Sequence, residues 1–254
     1  MAFINLMMRN FFLAAAVLYT FSFVSCNSST AEQQAVQLTP EHLIQKNIDS
    51  LKSICKEGDV IARMNDNLVS YHVRNFNSTD RSFSHAGVVV MHNGKKMVCN
   101  IDANEPGIDT VRYDPIDSFI NPKENFLCGL YRYNFSDAER EKFVAELNSY
   151  HERKVHFDRR FDLSDDSLIY CSEMIAKSII KATNGRIVLK DTTTPKAMLT
   201  VMTKFFQKEA PKNTPPKKVR QVIEQRRYIP IDALYMVPQC TELMRFKLKH
   251  FPGT

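Results

Sequence analysis

"SHAGVVVMHNGKKMVCNID" spans residues 84–102. Apolar residues flank Asn93-Gly94, the strongest short hairpin signal, so the stretch reads as strands 85–92 and 95–102. A turn at 93–94 pairs His92 with Lys95, and partners then sum to 187. His85 falls opposite Asp102, on one face, in the closer, non-hydrogen-bonded kind of pair. An aspartate so placed accepts from one ring nitrogen and fixes the tautomer, leaving the other nitrogen as a base. Gly87 and Asn100 form the next pair on that face and are expected to leave room for an approaching group. Ala86, Val88, Val90, Met97, Cys99 and Ile101 make the opposite face a core surface.

A base with an orienting carboxylate calls for a nucleophile, and "LIYCSEMIAKSII" (168–180) offers Cys171. It opens a helix predicted over 171–182, ended by Asn184-Gly185, where backbone N–H groups and the helix dipole favour a thiolate. Ile175 and Ile179 continue its stripe at i+4 and i+8, which turns the sulfur toward the sheet. The Cys171 amide, at a helix start, is free to serve as an oxyanion donor. A thiolate–imidazolium pair supports acyl transfer through a thioester. Taken singly, a buried Cys is an inert core residue by default, and a His beside an Asp is an ordinary structural hydrogen bond. Their conjunction carries the chemistry.

The rest of the chain is consistent with one sizeable domain: 254 residues, 44% apolar, 24% charged, net charge +6. It holds no zinc-type cysteine pairs, P-loop, dinucleotide glycine pattern or internal repeat. The Lys/Arg-rich 204–227 region reads as an exposed face, not a nucleic-acid site. Helical spacing covers 41–56, and "DVIAR" (59–63) is a short strand; residues 64–83 carry no clear signal. Residues 103–127 should be loop with a short strand near 109–113, followed by a strand over 126–133. Ser136 and Glu139 form a capping box opening a helix over 137–150. Residues 157–167 read as loop, and Thr194-Pro195 should start a helix to Gln207. Residues 208–220 read as a Pro/Lys-rich excursion without a core, and 231–237 as a strand. This order argues for an α+β fold around an antiparallel sheet.

At the N-terminus, residues 11–24 form an apolar stretch short for a membrane span and suited to a signal peptide. Phe23-Val24-Ser25-Cys26 resembles a bacterial lipobox. That resemblance implies removal of residues 1–25, lipidation of Cys26, a flexible tether over 26–40 and a folded domain over 41–254. The protein would then be membrane-anchored in the cell envelope.

"GDVIAR", "FSHAGVVV", the acid-Ala pair Asp102-Ala103 and "FDRRFDLSDDSLIYCSEMI" together resemble the circularly permuted NlpC/P60 cysteine hydrolases, the YiiX/YebB-like group, over roughly residues 40–240. In that papain-like group the histidine strand precedes the cysteine helix, as here. The resemblance implies Cys171 as nucleophile, His85 as base and Asp102 as the third, polar residue, with Glu105 the alternative if the register slips. Tyr170 either lines the cleft, donates to the oxyanion or packs on the helix start. Glu173 flanks the cysteine as in the group and is also a favourable first-turn acid. Phe157, Asp158 and Phe161 resemble a substrate-side loop.

Three functions follow. The first is a thiol hydrolase cleaving an amide in a cell-wall peptide or a related N-acylated amino compound, with no metal or organic cofactor implied. The second is a lecithin:retinol-acyltransferase-like enzyme taking an acyl chain from a lipid. The third is a non-catalytic envelope binding protein. An apolar trench beside Cys171 favours the second over a peptide substrate, which needs polar groups for its amine and carboxylate.

Overall fold

A six-stranded, wholly antiparallel sheet organises the chain in the computed structural model, which describes residues 39–103, 109–208 and 210–249. Its strands are β1 (Val60–Asn65), β2 (His85–His92), β3 (Lys95–Asn100), β4 (Arg112–Pro115), β5 (Asn125–Tyr133) and a C-terminal strand, Cys240–Lys247. Spatially they run C-terminal strand, β5, β1, β2, β3, β4, which places β1 and β2 at the centre. Seven α-helices accompany the sheet among the described residues: α1 (Pro40–Ile54), α2 (Leu68–Val73), α3 (Ile116–Phe119), α4 (Asp137–Glu152), α5 (Cys171–Ala182), α6 (Leu199–Gln207) and α7 (Pro216–Gln225). The fold is thus the expected α+β arrangement. The predicted signal peptide (1–25), Cys26, the predicted tether as far as residue 38 and Glu105 lie outside the described residues. No helix among those described is long and apolar enough to cross a membrane.

The period-2 alternation of side chains along a strand splits the core in two. Val60, Ala62, Ala86, Val88 and Val90 face Phe143 and Leu147 of α4 and Met174, Ile175 and Ile179 of α5. Ile61, Val89 and Val98 face Ile48 and Leu51 of α1 and Phe119 of α3. β1 is buried throughout because both of its faces are covered. α5 is buried over most of its circumference, sharing its cluster with both the sheet and α4.

The hairpin keeps its predicted register. His92 pairs with Lys95 and Val88 with Cys99, and Asn93 and Gly94 take φ of 49° and 73°. α4 carries the capping box, with Ser136 N donating to Glu139 Oε2 at 2.8 Å and Glu139 N to Ser136 Oγ at 3.3 Å. α5 begins and ends where expected, with Asn184 and Gly185 at positive φ.

Two expectations need correction, and one stretch without a clear signal gains structure. The polar run 64–83 contains α2, opened by Asn67, whose side chain accepts from Ser70 N at 2.8 Å. Residues 208–220 do not lack a core: α7 starts at Pro216, and Val219 and Ile223 pack with Leu199 and Phe206 of α6. Residues 231–234 form a 3₁₀ turn, and the last strand begins only at Cys240. Pro230 helps explain this, since its fixed φ starts a turn and it brings no ladder donor.

Candidate active site

β2 begins at His85, beside Arg63 of β1. Its ring lies on the α3 side of the sheet, 5.5 Å from the Phe119 ring and 5% exposed. Pairing between β2 and β3 stops at Val88–Cys99, three residues short of His85. The expected His85–Asp102 strand pair therefore does not form, and the ring finds a different partner.

His85 Nε2 lies 3.2 Å from Asn100 Oδ1. The orientation of that amide is fixed from behind. Asn100 Nδ2 donates to Asp114 Oδ2 at 2.9 Å and to Val98 O at 3.2 Å. Both amide hydrogens are thereby spent, so Oδ1 must accept and Nε2 must carry the ring proton. Nδ1 is left as the basic nitrogen. Asp102 faces Arg63 at 3.5 Å, while Arg63 donates to Phe119 O at 2.7 Å and lies 4.2 Å over that ring. Asp102 reaches the imidazole through its charge: burial pushes the His85 pKa down to about 4, Arg63 pushes the same way, and Asp102 and Asn100 oppose them.

Gly87 does not leave room for a substrate. A Cβ there would stand 2.4 Å from Val98 Cγ1 and 3.0 Å from Asn100 Cβ. The missing side chain lets β3 close on β2 and bring Asn100 beneath the ring.

The sulfur arrives from the other face. A two-residue parallel pairing of 156–157 with 168–169 leads directly into Tyr170 and Cys171 at the start of α5. Val89 N donates to Asp59 O, so odd-numbered amides of β2 point to β1 and the Ala86 amide points to the β3 side. Beyond the end of the ladder that amide turns to the Cys171 sulfur, as do the Ser172 and Cys171 amides; all three favour the thiolate. Burial outweighs them and raises the thiol to about 11. Burial thus works against both the thiolate and the imidazolium, opposing the expected thiolate–imidazolium pair.

The remaining candidates separate. Tyr170 is 1% exposed, and its hydroxyl accepts from Ile229 N at 2.8 Å. Glu173 Oε2 accepts from Tyr170 N at 3.4 Å, and Lys177 lies 2.8 Å from its other oxygen. Burial nevertheless raises the Glu173 carboxyl to about 7. Asp158 is fully buried and accepts from the Arg160 and Asp162 amides, so it braces its own loop. That loop turns Phe161, at φ 52°, onto Tyr170 with ring centroids 5.0 Å apart.

His85, Asp102 and Cys171 open into one cavity of about 470 Å³, together with Tyr170, Phe157 and Phe161 but without Asp158. Its wall is mostly apolar: Val69 and Phe76 around α2, and Met198, Val201, Met202 and Phe205 around α6. Asn100, Arg63 and this wall were missed in the sequence. Asn100 was legible as the next residue on the His85 face, and Arg63 as the lone charge in an apolar strand. The wall left no signal, since α2 and α6 meet only in the fold. Cys55, Cys99, Cys128, Cys171 and Cys240 are all free thiols.

A central antiparallel sheet with histidine at the head of a strand, followed later by cysteine at a helix start, defines a papain-like cysteine hydrolase in permuted order. The chain belongs to the permuted papain-like amidase family described as "Permuted papain-like amidase enzyme, YaeF/YiiX, C92 family", whose pattern matches residues 54–221. It is accordingly a cysteine amidase-type hydrolase. Among solved structures it is similar to the metalloprotein yiiX from Escherichia coli O157:H7, DUF1105, at 18% identity and a TM-score of 0.57, over 75% of this chain and 97% of that one. No curated protein matches the chain. Among the described residues, no three His, Cys, Asp or Glu side chains are grouped to hold a metal ion.

Proposed function

We propose that the protein hydrolyses the amide of an N-acylated amino compound whose acyl group is a long apolar chain. The observation carrying this reading is the apolar cavity that opens onto Cys171. Its volume lies within the ~300–1,000 Å³ usual for small-molecule sites. A stem peptide's many charged and hydrogen-bonding groups would meet mostly carbon there, although Arg159 and Arg226 also line the cavity.

In the proposed reaction the Cys171 proton passes to His85 Nδ1 as the sulfur adds to the amide carbonyl. The oxyanion is met by backbone N–H groups at the start of α5. Collapse breaks the C–N bond, and the amine leaves with the proton from His85. Water, deprotonated by His85, then cleaves the thioester to a carboxylic acid and regenerates the thiol. Asn100 holds the ring, and Asp102 stabilises the transient imidazolium by charge. Lipidation of Cys26 would keep the enzyme at an envelope membrane, and intact-mass analysis of the purified protein tests that part.

The same cavity also favours a second reading, in which an alcohol or amine acceptor replaces water and the acyl group is transferred from a lipid. Product analysis by mass spectrometry separates the two. N-acyl amino acids with acyl chains from acetyl to palmitoyl are incubated with wild type and Cys171→Ser, with phospholipids and muropeptides in parallel. The expected result is free fatty acid and amine from wild type only, with kcat/KM rising about three- to four-fold per methylene until the cavity is filled. Cleavage of muropeptides without any dependence on an acyl chain would overturn the proposal.

A further inference from the structure

The cavity opens through an apolar rim. Val69 on α2, and Val201 and Phe205 on α6, line it and yet are 57%, 42% and 48% exposed. Leu68 and Tyr71, also on α2, are 73% and 55% exposed. Five of the eleven exposed large hydrophobic residues among those described thus sit on two short helices around one opening. Val201 and Phe205 are four residues apart and share a face of α6. An apolar concentration of this kind marks a surface that meets something other than water.

Charge narrows the occupant. Residues 196–208 carry exposed Lys196, Lys204 and Lys208 and no acid, and α2 carries no acid either. Asp66, just before α2, is paired with Lys249. Apolar side chains interleaved with lysines on a surface helix suit the headgroup–acyl boundary of an anionic bilayer. A bilayer also holds amphiphiles whose chains can pass through the rim without crossing water.

We propose that the α2–α6 rim docks on an anionic lipid bilayer, with Leu68, Val69, Val201 and Phe205 entering the headgroup–acyl boundary and Lys204 and Lys208 facing lipid phosphates. The inference shares the cavity with the proposed reaction, but it concerns the exterior surface and is read without any activity.

The chain contains no tryptophan, so a single introduced indole reports its own surroundings. Full-length Phe205→Trp and, as a control at the far end of β2, Met91→Trp are mixed with vesicles of equal parts phosphatidylglycerol and phosphatidylcholine. Docking predicts a blue shift and quenching by acyl-brominated lipid for Phe205→Trp and neither for Met91→Trp. Val201→Trp serves if Phe205→Trp does not fold. Lys204→Glu and Lys208→Glu should each weaken that quenching about five-fold at low salt. Three outcomes would overturn the proposal. One is an unshifted rim indole on vesicle-bound protein, which leaves the N-terminal region as the attachment. Another is equal quenching at both positions. The third is a lipid-independent shift that tracks dimer formation in sedimentation, which makes the rim an interface between copies.

Discussion

Nε2 of His85 lies 3.2 Å from Oδ1 of Asn100, and that amide is locked by the Asp114 carboxylate behind it. Asp102, two residues further along the chain, instead faces Arg63. A neutral acceptor therefore orients the imidazole, and the charge of the nearby carboxylate favours its protonated form. The two roles are separable by mutation.

Asn100→Ala should lower kcat by about 100-fold with little change in KM, because it releases the ring and its tautomer. Asp102→Asn should cost less, about ten-fold, with the acid limb of the pH profile moved to lower pH because a charge favouring imidazolium is gone. Steady-state kinetics on an N-acyl substrate across pH checks both. A larger loss at Asp102 would make the carboxylate the orienting group after all.

The depressed His85 pKa has a consequence for stability. The folded protein resists protonation of this ring until about pH 4, while the unfolded chain takes up the proton near 6.5. Between these values the unfolded state binds more protons, so stability from this group is complete above pH 6.5 and falls as pH drops toward 4. The loss should reach about 3 kcal/mol. Urea midpoints at pH 7 and pH 4.5 measure it, and His85→Gln should flatten the difference.

Met202→Trp should fill part of the apolar cavity from α6. Hydrolysis of long-chain N-acyl substrates should drop at least ten-fold, with acetyl substrates unaffected. Uniform loss at every chain length would mean the acyl group does not occupy this space.

Gly87→Ala should push β3 away from β2, since its methyl would meet Val98 and Asn100. Overpacking of this kind costs about 1–3 kcal/mol. It should also lower kcat in the folded protein, because Asn100 moves relative to the ring. Thermal melts and activity measured on the same sample test the coupling.

Local chemistry was enough to read much of this protein from its sequence. The Asn93-Gly94 turn, the alternation around it, the Ser136–Glu139 capping box and the Cys171 stripe each depend on residues within a few positions of one another. Their boundaries and registers followed directly. The motifs around His85 and Cys171, in that order, likewise resembled the permuted papain-like enzymes, and the family match over residues 54–221 agrees. Tertiary structure decided the partner of His85, because the ladder opens before it reaches residue 85 and lets a neighbouring side chain on the same face claim the ring. It also set the electrostatic surroundings of the sulfur and the ring, since burial by distant elements works against the charged form of each. The apolar cavity lay furthest from the sequence: helices more than a hundred residues apart build it, and periodicity shows which residues avoid water without showing which of them meet.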